Sequence, residues 1–245
     1  MSITERQRNI LNLVNEYKYI SVQKLSALTY TSPSSVRRDL TKLENMFYLK
    51  RTHGGAQCLE GDNQPPNFNS RITQNIIAKR KIAQSASTFL RDSQCIMLDS
   101  SSTAGYLLPH ISKFKNITLF TNNMITAINS INYGIRTYCL GGFAHKNSPV
   151  LASEDTYKAL LTIHPDILFF SSFSVDSDGN ITDPTAAETY AREIMLKNSA
   201  KRIFLCDSGK FNRRSTFHLT SADDTDACVF DAEYSALKCK CPVLY

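Results

Sequence analysis

The sequence predicts an α/β protein in two parts: a small basic head of three helices and a hairpin, then a larger domain on a mainly parallel sheet. Three observations predict it. Apolar residues recur at helix spacing up to Leu43. A double-glycine turn, Gly54-Gly55, follows within alternating sequence. From Cys95 onward, six short apolar runs alternate with helical segments, most of them read as ten to fifteen residues long.

The length, 245 residues, allows two domains of unequal size, and 42% hydrophobic with 20% charged residues is a globular composition. No apolar run reaches the roughly eighteen residues of a membrane span. The opening MSITERQRNIL has no signal-peptide core, so a cytoplasmic protein is expected. Seven cysteines, an odd number, argue against a disulfide framework. Cys95, Cys139, Cys206 and Cys228 lie in apolar runs and read as small buried hydrophobes. Cys239 and Cys241 form a close pair, but a metal would need more ligands than they supply. No metal and no cofactor are expected.

Charge is concentrated at the front. Of the net +6, the segment up to Cys58 carries +5, from nine basic and four acidic side chains. A polyanionic partner for that segment follows.

The elements of the head can be justified in order. Thr4 is a candidate N-cap for a first helix with Ile10, Leu11, Leu13 and Val14 on one face. Ser21 caps a second, with Val22, Leu25 and Leu28 as its stripe. Ser32-Pro33 starts a third, where Val36, Leu40 and Leu43 form the buried stripe. Ser34, Arg38, Thr41 and Asn45 then point outward, with Arg37 and Lys42 on the flanks. "YLKRTHGGAQCL" makes a wing. Helix, helix, turn, helix and wing give a winged helix-turn-helix with an outward arginine pair. Arginine forks onto guanine or phosphate in a way that lysine does not. The DNA-binding candidates are Ser34, Ser35, Arg37, Arg38, Thr41, Lys42, Arg51 and His53; the alternative is a solvated basic face.

"SPSSVRRDLTKLE" and "LKRTHGGA" resemble the N-terminal signature of the DeoR family of bacterial transcription regulators, and the similarity runs through the whole chain. One departure is Phe47, where that family usually has glycine.

"LEGDNQPPNFNS", with Pro65-Pro66, reads as linker, so the division is 1–57 for DNA binding, 58–73 for the linker and 74–245 for effector sensing and oligomerisation. A helix is expected from about Gln74, with Ile77, Ile82, Ala86 and Phe89-Leu90 as its stripe. The strands are "CIML", "ITLF", "IRTYCL", "DILFF", "RIFLC" and "DACVF", read as apolar on both faces. Parallel sheets bind ligands beyond the carboxyl ends of their strands. There stand Asp99, Ser101, Ser102 and Thr103, then Thr121 and Asn122, then Gly141 and Gly142, then Asp207 and Lys210. Hydroxyl loops with a lysine suit an anion.

The resemblance implies a Rossmann-like domain similar to ribose-5-phosphate isomerase and the CoA-transferase-like proteins, sensing a phosphorylated sugar or related metabolite. By motif match it places Asp99, Ser102, Thr103, Thr121, Asn122, Gly141, Gly142, Asp176, Glu188, Asp207 and Lys210 in the pocket. Ser101, Ser153 and Ser174 stand where that family usually has glycine.

Two function classes follow: a repressor of a carbohydrate operon, or a sugar-phosphate isomerase using Asp176 or Glu188 as base. The outward arginine pair favours the regulator and no enzyme activity. A palindromic operator of double-stranded DNA requires a homodimer or homotetramer.

Overall fold

The computed structural model describes residues 4–45, 48–58, 68–144 and 148–245. It divides into two compact units, Met1–Gln74 and Asn75–Tyr245. Phe47 and the proline pair of the expected linker lie outside the described residues, as does the side chain of Asn45.

The first unit holds α1 (Glu5–Tyr17), β1 (Tyr19–Ser21), α2 (Val22–Leu28), α3 (Pro33–Asn45), β2 (Lys50–Thr52), β3 (Gly55–Gln57) and α4 (Phe68–Thr73). Thr4 starts α1 in a capping box with Gln7. Ser21 accepts from the Lys24 amide, and Ser32 from the Ser35 amide, at the heads of α2 and α3. Ile10, Leu11, Val14, Leu25, Val36, Leu40 and Leu43 are fully buried. Burying each such side chain stabilises by about 1.5–3 kcal/mol. Leu28 departs from its expected stripe and is exposed, because α2 ends there and the chain turns away through Thr29 and Tyr30. α4 lies within the segment read as linker.

The wing is a three-stranded sheet, not a bare hairpin: β1 pairs antiparallel with β3, and β3 with β2. This explains the double glycine. Gly54 turns at φ +87, and a Cβ on Gly55 would press against the Ile20 carbonyl of β1.

The second unit begins with α5 (Ile76–Ala86), then β4 (Cys95–Leu98), α6 (Leu108–Ile111), β5 (Thr118–Thr121), α7 (Met124–Asn132), β6 (Arg136–Cys139) and α8 (Glu154–Leu160). It continues with β7 (Ile167–Phe170), β8 (Ser174–Val175), β9 (Asn180–Asp183), α9 (Ala186–Asn198), β10 (Arg202–Cys206), β11 (Phe217–Ser221), β12 (Ala227–Phe230) and β13 (Val243–Leu244). All six expected strands join one parallel sheet of order β13-β12-β10-β7-β4-β5-β6. Its central strand β7 is buried at every position. β6 departs from the two-sided apolar reading, since as an edge strand it exposes Tyr138 and Cys139.

A second sheet, β11-β9-β8, is antiparallel and was not expected. The connecting helices are also shorter than ten to fifteen residues, α9 excepted. On α5 the expected stripe is altered: Ile82 and Ala86 are buried, but Ile77 is 86% exposed, while Lys79 is 3% exposed.

Candidate functional site

On α3, Ser34, Arg37, Arg38, Thr41 and Lys42 are exposed and Ser35 is half-buried, so the face opposite the Val36–Leu40–Leu43 stripe is polar and basic. Arg51 and His53, at the wing, are exposed too. The two elements are tied. Arg51 Nη1 donates to Thr41 Oγ1 at 2.8 Å, the Arg51 amide donates to Glu44 Oε1 at 2.8 Å, and Thr41 Oγ1 donates to the Arg37 carbonyl at 2.9 Å. Asp39, beside the arginine pair in sequence, turns the other way. It is buried and accepts from Arg6 Nε at 2.7 Å and Gln7 Nε2 at 2.9 Å, fixing α3 against α1. The hydrogen bond to Asp39, and then its charge, raise the Arg6 pKa.

In the second unit the loops after β4 and β5 touch, Asn123 Nδ2 donating to the Ser100 carbonyl at 3.0 Å. Asp99, Ser101, Ser102, Thr103, Asn122 and Asp207, just beyond β4, β5 and β10, and Thr121, the last residue of β5, are all buried. Thr103 Oγ1 and Asn122 Oδ1 are buried with no hydrogen-bond partner among the described residues. Buried polar atoms are normally paired, so two orphans in neighbouring loops mark groups available to a ligand. Lys210 Nζ donates to Ser171 Oγ at 2.9 Å and to the Ser172 carbonyl at 2.8 Å, with Asp207 Oδ2 at 3.7 Å.

Gly141 and Gly142 sit against the start of α8. Gly142 has φ +135, and a Cβ there would run into Thr156 Oγ1 and Ser153 Oγ, so this loop needs glycine for close packing. Two carboxylates are already committed. Asp176 accepts from Arg214 and Asn180 in the turn between β8 and β9. Burial pushes its pKa up, but the hydrogen bonds from Arg214 and Asn180 outweigh this and hold it below the usual carboxylate value. Glu188 Oε2 lies 3.2 Å from Arg192 Nη2.

Arg192 is the residue that pattern reading missed. It sits on α9, 3% exposed, with Nε 2.8 Å from Asp99 Oδ2 and Nη1 2.7 Å from Asp183 Oδ2. Burial alone would lower its pKa; Asp183, Asp99 and Glu188 outweigh that and raise it. Lys79 was also missed: its buried ammonium donates to Ser102 Oγ at 3.1 Å. Asn75, one turn earlier, donates to Asp207 Oδ1 at 2.6 Å. A lysine three residues before buried Ile82 was the available signal for an inward-facing cation.

The serines standing for glycine have structural partners. Ser101 Oγ bonds Asp99 Oδ1 and accepts from the Ala104 amide at 3.2 Å. Ser174 Oγ lies 2.7 Å from Thr182 Oγ1, and Ser153 caps α8.

Residues 6–61 match the DeoR-like helix-turn-helix domain, and residues 74–232 match the DeoR C terminal sensor domain. The HTH-type transcriptional regulator GolR of Listeria innocua is 33% identical over 93% of this chain and 90% of its own length. The L-fucose operon activator of Haemophilus influenzae is 32% identical over 87% of this chain and 86% of its own. Ribose 5-phosphate isomerase from Plasmodium falciparum superposes with a TM-score of 0.40 at 17% identity, over 54% of this chain and 52% of that one. No helix among the described residues is long and apolar enough to cross a membrane.

Proposed function

As the chain belongs to the DeoR family of DNA-binding transcriptional regulators, we propose that it represses a carbohydrate-metabolism operon and that a phosphorylated sugar or related metabolite controls its operator binding. Residues 1–57 would hold double-stranded DNA through Ser34, Ser35, Arg37, Arg38, Thr41, Lys42, Arg51 and His53. Residues 74–245 would take the effector and assemble the homodimer or homotetramer that a palindromic operator requires. One relative's name refers to an L-fucose operon, which supports a carbohydrate setting. The protein acts in the cytoplasm and catalyses no reaction.

The observation that carries the effector reading is the pairing of cations with hydroxyls at one sheet edge. Lys79 reaches Ser102, Lys210 reaches Ser171, and Thr103 Oγ1 and Asn122 Oδ1, which have no partner among the described residues, lie in the adjoining loops. That set suits an oxyanion. The isomerase alternative is weakened because Asp176 and Glu188, its candidate bases, are each bound to an arginine.

A thermal-shift series with sugar phosphates tests this. A ligand at a hundred times its Kd adds about 2.7 kcal/mol of stability. Lys210→Ala should abolish most of that shift, since a charge-assisted contact contributes about 1.5–3 kcal/mol, and should leave ligand-free operator affinity unchanged. No shift with any sugar phosphate, or steady turnover of ribose 5-phosphate, sinks the proposal.

A further inference from the structure

Three of the seven cysteines converge near the C-terminus. Cys228, on β12, is fully buried; Cys239 and Cys241, on the approach to β13, are half-buried. Cys241 Sγ lies 3.4 Å from Cys228 Sγ and 3.8 Å from Cys239 Sγ. Thr225 Oγ1 lies 3.6 Å from Cys228 Sγ. Among the described residues no group of three or more His, Cys, Asp or Glu is placed to hold a metal. The Cys228 and Cys241 sulfurs are already in van der Waals contact, and a disulfide would bring them to about 2.05 Å.

The thiols are also unequal. The hydrogen bond to Cys241, then burial, push the Cys228 thiol up. The hydrogen bond from Cys228 lowers Cys241 to about 6, helped by Thr225 and Cys239 and opposed by burial. Cys241 is therefore the more acidic of the pair and, being half-buried where Cys228 is fully buried, the one of the two that a small oxidant can reach.

We propose that Cys228 and Cys241 are a redox modification site, closing into a reversible disulfide with a hydroperoxide as oxidant. The Cys241 thiolate attacks the peroxide oxygen. The O–O bond breaks, an S–O bond forms, and the leaving oxygen takes a proton. The Cys228 sulfur then attacks the Cys241 sulfur, giving up its proton. The S–S bond forms, the S–O bond breaks and water leaves. The two thiols lose two electrons and the peroxide gains them.

The bond staples the C-terminal strand to the sheet. β13 pairs with β12 at two register positions, Cys228 with Val243 and Val229 with Leu244. The loop so closed includes Tyr234, which stacks on Phe211 at 4.3 Å, directly after Lys210.

The test treats the full-length protein with hydrogen peroxide in a Cys139→Ser background, which removes the exposed thiol on β6. The expected product loses the mass of two hydrogens. Its non-reducing peptide map joins Cys228 to Cys241, and dithiothreitol reverses the change. Cys241→Ser should lose no hydrogens, and Cys239→Ser should still form the bridge. Cys228→Ala combined with Cys239→Ser should form no bridge and stop at a sulfenic acid on Cys241 that dimedone traps, formed more slowly than the wild-type bridge because the hydrogen bond that lowers the Cys241 thiol is gone. No reaction, stepwise oxygen addition without a bridge, or a map joining Cys239 instead of Cys228 would each overturn the proposal.

Discussion

On α3, Arg37 and Arg38 stand exposed, whereas on α9 Arg192 is buried with carboxylates of Asp99, Asp183 and Glu188 within 3.2 Å. The same guanidinium therefore has opposite duties in the two units. An exposed cation contributes little to the fold and is available to an external polyanion. A buried one neutralises acids that could not otherwise be there, and it holds strand ends and a helix in register. The lysines divide in the same way, Lys42 outward and Lys79 inward on Ser102.

The comparison can be broken most sharply at Arg192. Arg192→Ala leaves Asp99 and Asp183 buried without their counter-charge, and losing one partner of a buried pair costs about 3–5 kcal/mol. Urea unfolding of the second unit should show this; a variant as stable as the wild type would mean that the cluster is not held by charge. Arg38→Ala is the counterpart. Its unfolding midpoint should stay within about 0.5 kcal/mol of wild type, as for most surface changes. Its affinity for operator DNA, read by fluorescence anisotropy, should fall by about 1–3 kcal/mol. Equal loss on unrelated DNA would reassign it to phosphate contact.

Ser101→Gly sharpens the picture within the loop after β4. Because the hydroxyl bonds Asp99 and the Ala104 amide, glycine should cost about 1 kcal/mol of stability by thermal melt. A stabilised variant would show that the serine only crowds the loop. The smallest effect concerns Asp176. Its folded-state pKa is depressed, so its contribution is present above the unfolded value and lost as pH falls through the folded one. Arg214→Ala should flatten the acid side of the stability profile by less than about 1 kcal/mol, the scale of an exposed pair. An unchanged profile would leave Asn180 as the group that matters.

What was legible in the sequence was local. Thr4, Ser21 and Ser32 announce helix starts because capping depends on a few neighbouring residues. The strand-end loops follow from six apolar runs. Arg192 and Lys79 were hidden because helical periodicity assigns charged residues to solvent, and only the fold brings acids and a hydroxyl loop to meet them. Ile77 was misplaced for the same reason, since Lys79 takes the inward side of α5. The antiparallel sheet had a local signal, Asp178-Gly179 between β8 and β9, but its two-residue partner strand is too short to show alternation.

The bond from Arg51 to Thr41 has a consequence for how the DNA contact is counted. A long side chain that is already anchored would lose little rotational freedom when a duplex arrives, so under the proposed DNA contact wing and helix would act as one preformed surface. Their contributions then cease to be independent. Removing Arg51 also takes from Thr41 the donor its hydroxyl accepts from, and a double-mutant cycle between the two should return a non-zero interaction energy. Operator preference in such a head is a property of the joint, and swapping either element alone into a relative would transplant only part of it.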